Sequence, residues 1–240
     1  MLLAQQLGLI FQTESPVLQA PQLVVFAADH GLAKHGVSAY PSDVTWQMVN
    51  NFLAGGAAVS VLARQHGLTL TIADCGVMHT FTTQQGLYAC KVAYGTADSS
   101  QQAAMSAEQC TLAMSNGQDL VKSLSGNALL LGEMGIGNTS AASLLLARLA
   151  DLPIEQCVGA GTGLDQQGIV RKTKILQQVL ALHAYAHEPL QALAAFGGFE
   201  IATMVGAIFE AAASNRVIVV DGFITSAAVL VASKIEPLVL

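Results

Sequence analysis

The 240-residue sequence is short of charge. Only 11% of its residues are Asp, Glu, Lys or Arg, and with 52% apolar residues a disordered, self-repelling chain is excluded. The ten basic residues are scattered and the net charge is −6, which leaves no basic stripe for nucleic acid. No uninterrupted apolar run reaches the roughly 18 residues of a membrane span. The longest candidate, Ala211–Val231, is broken by Ser214, Asn215, Arg216, Asp221 and Gly222. The opening MLLAQQLGLIF has neither the basic start nor the small-residue cleavage pattern of a secretory signal. Cysteine is scarce too. Cys75, Cys90, Cys110 and Cys157 form no Cys-x-x-Cys pair, so the expectation is reduced, buried thiols in a cytoplasmic protein, without a disulfide or metal framework.

What is present is a series of short apolar runs that end in Asp, Glu or Gly. They are LVVFAADHG (23–31), LTLTIADCGV (68–77), NALLLGEMGIG (127–137) and RVIVVDGF (216–223). Runs rich in Val, Ile and Leu, with no polar alternation, suit strands covered on both faces. Helical spacing lies between them: Ser42–Arg64 carries Val44, Met48, Val49, Phe52, Val59 and Leu62, with Asp43 as a first-turn acid after Pro41. The alternation predicts an α/β fold with a mostly parallel sheet flanked by helices, a Rossmann-like three-layer arrangement. Residues 23–240 are expected to form that domain and residues 1–22 an N-terminal segment. The stretch 78–100 reads as loops or a hairpin.

Such sheets bind ligands beyond the carboxyl ends of their strands. This rule draws Asp29, His30, Asp74, Glu133 and Asp221 to one rim. In LGEMGIGNTSAAS (131–143), Gly132, Gly135 and Gly137 surround Glu133, and Asn138, Thr139 and Ser140 open the next helix. Glycines there let the backbone approach a ligand, and helix-opening amides favour an anion such as phosphate. Glu133 would be repelled by phosphate, so it is expected to face ribose hydroxyls or a reacting centre. A second cluster, VGAGTGLDQQG (158–168), offers Gly159, Gly161 and Gly163 as another cradle, with Lys172 and Lys174 on the helix that follows. Neither cluster ends in the Gly-Lys-Ser/Thr of a Walker loop, and each alone is equally a tight strand–helix turn. His30 is either a ligand contact or a satisfied structural histidine. His183 and His187 sit at i,i+4 without the intervening Glu or third ligand of a zinc helix, and read as a helix face. Trp46 reads as core, Gln47 is open to either reading, and Glu200 in FGGFEIA reads as a helix-start acid.

Together the motifs FAADHGLAKHGVSAYPSDVT, MVNNFLAGGAAVSVLAR, GEMGIGNTSAAS, GAGTGLDQQGIVRK, LAAFGGFEIATMVGAI and VIVVDGFITSAA resemble the nicotinate-nucleotide–dimethylbenzimidazole phosphoribosyltransferase family, in order, from Leu23 onward. The resemblance implies transfer of phosphoribose from nicotinate mononucleotide to 5,6-dimethylbenzimidazole in cobalamin biosynthesis, by a homodimer, with no cofactor and no metal. It implies that Glu133 is the active-site glutamate beside the ribose. Gly135, Gly137, Asn138 and Thr139 would form one backbone cradle and Gly159, Gly161 and Gly163 the other. Lys172 would stand near the phosphate and Gln47 in the wall of the benzimidazole pocket, with GVSAYP (36–41). Asp29, His30 and Asp221 match strand-end motif residues. The family's N-terminal Pro-Pro-Gly-Ser-Leu-Gly-like loop and its downstream glutamate, assigned as general base, have no counterpart in the sequence, and Glu236 is not that base. The expectation for residues 1–240 alone is substrate binding with slow turnover. A catalytically weak nucleotide-binding or assembly protein derived from that family, and a transferase using phosphoribosyl pyrophosphate, are the alternative readings; the second would want adjacent acids where Gly222 follows Asp221.

Overall fold

The computed structural model describes residues 2–240. Five strands, β1 (Gln22–Ala28), β2 (Thr69–Gly76), β3 (Leu87–Ala89), β4 (Ala128–Met134) and β5 (Val217–Val219), form one sheet in the order β3-β2-β1-β4-β5. Every pairing is parallel. Ten α-helices accompany the sheet: α1 (Leu2–Phe11), α2 (Asp43–Leu53), α3 (Ala58–Gln65), α4 (Ala107–Ser123), α5 (Asn138–Leu149), α6 (Ile154–Cys157), α7 (Gln166–Leu182), α8 (Pro189–Phe196), α9 (Phe199–Ala213) and α10 (Phe223–Ile235). The sequence-based fold class holds.

Strand β1 shows why the sheet needs a helical layer on each face. Val24, Phe26 and Ala28 join the larger core, built with α4, α5, α8, α9 and α10, whereas Val25 and Ala27 join a smaller one with Val49, Phe52 and Ile72. Side chains alternate faces along a strand, so a strand buried on both faces has no polar position to spare. Helix α9 is buried along most of its length and touches β1, β2, β4 and β5. It meets α4 through two reciprocal glycines. A Cβ on Gly117 of α4 would lie 1.9 Å from the Thr203 carbonyl oxygen, and one on Gly206 of α9 would lie 1.9 Å from that of Met114. The two helices are in backbone contact there.

Several local expectations are corrected. The helical pattern over 42–64 is split into α2 and α3, because Gly55 takes a left-handed φ of +77° and α3 restarts after Gly56. The 78–100 stretch contains no hairpin. Its strand β3 runs parallel to β2 at the sheet edge, and the rest is loop. His183 and His187 do not share a helix face, since α7 ends at Leu182; His183 is buried and its Nε2 bonds the Ser99 carbonyl at 2.8 Å. Trp46 is only half-buried and stacks on His79 with ring centroids 4.9 Å apart. All four cysteines are buried free thiols.

Candidate active site

The strand order changes direction between β1 and β4, the place where open parallel sheets leave a crevice. Asp29 and His30 leave β1 there, and Glu133 is the penultimate residue of β4, paired in register with Phe26. The β1–β2 register slips between Ala27 and Ala28, so Cys75 is an extra residue and Ala28 pairs with Gly76. Such a bulge re-aims the chain that follows it. Asp29 is thereby turned inward, 1% exposed, and accepts the Met78 amide at 2.8 Å. Burial raises its pKa, and the Met78 hydrogen bond opposes the rise.

From Glu133 the chain passes Gly135 and Gly137 into α5. Gly137, at φ +97°, is the N-cap, and a Cβ there would press on Ala33 at 3.2 Å. The backbone N–H groups of Gly137 and Thr139 make no hydrogen bond among the described residues, whereas Asn138 N and Ser140 N bond Gly135 O and Gly137 O. Asn138 Nδ2 donates to Glu133 Oε2. Burial raises the Glu133 pKa; the Asn138 bond lowers it, the Glu200 charge raises it further and His30 lowers it.

The second glycine cluster closes over the same helix start. Lys172, two turns into α7, reaches back to donate from Nζ to Thr139 Oγ1 at 2.9 Å and is 0% exposed. Burial, with no carboxylate beside it, holds its pKa down to about 8. Gly161, at φ +56°, stands above this pair; a Cβ there would lie 3.0 Å from Thr139 Oγ1 and 3.5 Å from Lys172 Nζ. Thr162 Oγ1 bonds Ser38 Oγ at 2.9 Å and accepts the Ala39 amide at 3.3 Å, tying the loop to GVSAYP. A buried ammonium, open amides and a helix N-terminus therefore face one spot. The arrangement suits a phosphate.

Not every sequence candidate is gathered in. Asp74 is on the rim but is held by Lys91 at 2.8 Å and by the Val77 amide at 3.0 Å. Asp221 follows β5, beside β4, with an exposed carboxylate that bonds nothing among the described residues. Gln47 is exposed on α2, and Gly159 and Gly163 line the outer, exposed part of their loop. Two features carried no clear sequence signal. His30 Nε2 is 2.7 Å from Glu200 Oε1, a partner 170 residues away. Asp98, 8% exposed, accepts from Lys34 at 3.0 Å and from Ser100 Oγ, and pairs with His35 at 2.8 Å. Burial opposes its ionisation, yet these partners hold its pKa well below the usual range. Among the described residues, no three His, Cys, Asp or Glu side chains gather as metal ligands, and no helix is long and apolar enough to cross a membrane.

The profile of a family described as phosphoribosyltransferase matches residues 1–240. The chain belongs to that family. It is 66% identical over 235 residues to the nicotinate-nucleotide–dimethylbenzimidazole phosphoribosyltransferase of Variovorax paradoxus, covering 98% of this chain and 67% of that one. The protein of the same name from Cupriavidus necator is 54% identical over 241 residues, covering 99% and 70%. The crystal structure of CobT from Thermus thermophilus superposes with a TM-score of 0.94 at 38% identity, over 98% of this chain and 71% of that one. That likeness extends the shared fold to the parallel sheet and its helical layers.

Proposed function

We propose that this chain is a pentosyltransferase that moves phosphoribose from nicotinate mononucleotide to 5,6-dimethylbenzimidazole, yielding α-ribazole 5′-phosphate and nicotinate in cobalamin biosynthesis. One observation carries the reading. Adjacent residues at the start of α5 hold opposite chemistry, Asn138 bonding the Glu133 carboxylate and Thr139 bonding the Lys172 ammonium. A ribose 5-phosphate laid along this turn sets its phosphate on Lys172, Thr139 and the Gly161 loop, and its anomeric carbon beside Glu133.

The chemistry follows from that polarity. The bond from the anomeric carbon to the pyridinium nitrogen breaks, and its electron pair returns to a ring that leaves neutral, so no acid is needed. The benzimidazole nitrogen bonds the same carbon, and the proton on its other nitrogen goes to a base. Positive charge grows on the ribose in between, and Glu133 stabilises it in a partly dry site where such charges act strongly. Gly135 and Gly137 shape one cradle, and Gly161, over Thr139 and Lys172, shapes the other. Asp29 and His30 stand on the same rim, and GVSAYP, tied to the Gly161 loop through Ser38 and Ala39, borders the base. In this reading residues 23–240 form the catalytic body, residues 1–22 an appended segment, and the enzyme works as a cytoplasmic homodimer, which light scattering tests. Chromatography of nicotinate and α-ribazole phosphate formed from the two substrates tests the reaction. Absence of both products, together with no calorimetric binding of nicotinate mononucleotide, rejects it.

A further inference from the structure

Asp98 is a buried carboxylate outside both anion cradles, and its two oxygens serve different ends. Oδ1 accepts from the Ser100 amide at 3.0 Å and from the Ser100 hydroxyl at 2.7 Å, which shapes its own loop. Oδ2 takes distant partners, Lys34 Nζ at 3.0 Å and His35 Nε2 at 2.8 Å, the last two residues of the 3-10 turn Gly31–His35. The loop alone would need only the first oxygen. The second is aimed at the turn.

The loop makes a firm base for a clamp. Thr96 N bonds Asp29 O at the end of β1, Ala104 N and Met105 N bond the Ala195 and Ala194 carbonyls of α8, and Ser99 O accepts from His183. The start of the turn lies flat on this base. A Cβ on Gly31 would stand 2.6 Å from the Ala97 carbonyl carbon, and Gly31 N donates to Thr96 Oγ1 at 3.2 Å. Backbone contact thus fixes one end of the turn and Asp98 the other.

The far side of the turn meets the ligand site. Ala33 packs on Gly137, where an added Cβ would lie 3.2 Å from the Ala33 Cβ. The Gly137 amide is one of the two at the start of α5 that bond nothing among the described residues. Gly36, at φ +70°, ends the turn, and Ser38 and Ala39 just beyond it bond Thr162 beside Gly161. One short element therefore supports both cradles.

We propose that Asp98 is a positioning residue that clamps the Gly31–His35 turn against Gly137 and so fixes the cradle that takes the nucleotide phosphate. This rests on the phosphate assignment made above. Asp98→Asn keeps an oxygen for Ser100 and loses the charge that holds Lys34 and His35. Lys34→Ala/His35→Ala removes the clamp from its exposed side and leaves the Asp98 loop intact. Each should weaken nicotinate mononucleotide about tenfold, as a cradle formed only about a tenth of the time would. In calorimetry the loss should fall on Kd, with stoichiometry near that of wild type, whereas partial unfolding lowers stoichiometry and spares Kd.

A second readout needs no ligand. In isotope-labelled protein, the Gly137 and Thr139 amide resonances should move in both variants and stay in place in Lys122→Ala, which cuts only exposed ion pairing on α4. An unchanged Kd overturns the proposal, as do unmoved Gly137 and Thr139 resonances. So does a defect in Asp98→Asn that Lys34→Ala/His35→Ala does not share, which would confine Asp98 to its own loop. Wild-type protein that does not bind nicotinate mononucleotide counts against the phosphate assignment instead, and the amide resonances still decide the clamp.

Discussion

Lys172 Nζ and Thr139 Oγ1 are joined at 2.9 Å, the lysine's single hydrogen bond among the described residues. An ammonium with three donors and one acceptor, shielded from water, is poised to take an anion. Lys172→Met should weaken binding of nicotinate mononucleotide by tenfold or more, the scale of a lost charge-assisted contact of about 1.4 kcal/mol. Isothermal calorimetry measures it, and an unchanged Kd would remove Lys172 from the phosphate site.

The same lysine sets a pH dependence. Its folded pKa of about 8 lies below the ordinary 10.5, so the unfolded chain holds the proton more tightly between those values. Ligand-free protein should therefore gain stability from this group as pH rises from about 8 towards 10.5, recovering about 3 kcal/mol that burying the ammonium costs at neutral pH. Denaturant melts of wild type and Lys172→Met across that range isolate the contribution. Parallel pH curves for the two proteins would contradict it.

Gly161 and Gly159 make a controlled comparison within one loop. A methyl at Gly161 must adopt φ +56° and press on Thr139 Oγ1 at 3.0 Å, whereas one at Gly159 meets nothing within 4 Å. Gly161→Ala should lower affinity for the nucleotide severalfold with a stability loss of about 1 kcal/mol, and Gly159→Ala should change neither. Equal effects from the two would mean that the cradle lies elsewhere.

Glu133→Gln keeps an oxygen for the Asn138 amide but removes the charge. Nicotinate release should fall by about a hundredfold or more while Kd for nicotinate mononucleotide changes little, because the charge is needed mainly when the ribose becomes cationic. Single-turnover rates beside calorimetry separate the two. A purely KM effect would assign Glu133 to binding.

The α4–α9 crossing admits no side chain. Gly117→Ala places a carbon 1.9 Å from the Thr203 carbonyl oxygen, so backbone must move. The expected loss is at least about 2 kcal/mol, read by chemical denaturation. A loss under half of that would show that the two helices separate easily.

Much of this was legible in the sequence because the signals were local. Apolar runs ending in Asp, Glu or Gly marked β1, β2, β4 and β5, and the parallel order followed from the helices between them. Glu133, Thr139 and Lys172, which the fold brings to the start of α5, were singled out because each lies in or just after a glycine motif. What escaped was set by partners distant in the chain. Glu200 looked like a first-turn acid, which it is, but its burial against His30 depends on α9 passing beneath four strands. Asp74 matched the strand-end pattern equally well, and only the Lys91 loop shows that its charge is already taken. The break between α2 and α3 was written in Gly55 and Gly56, where apolar periodicity on both sides masked it.

The sheet ends at both edges in three-residue strands, β3 and β5. An edge that short offers a neighbouring chain only a few unpaired backbone groups, too few to template further strands. Copies of this protein are therefore poorly equipped to associate by extending one sheet into the next, and self-assembly must draw on helical and loop surfaces. A protein with 52% apolar residues thus keeps its most adhesive architecture, a continuous parallel sheet, closed to its own kind.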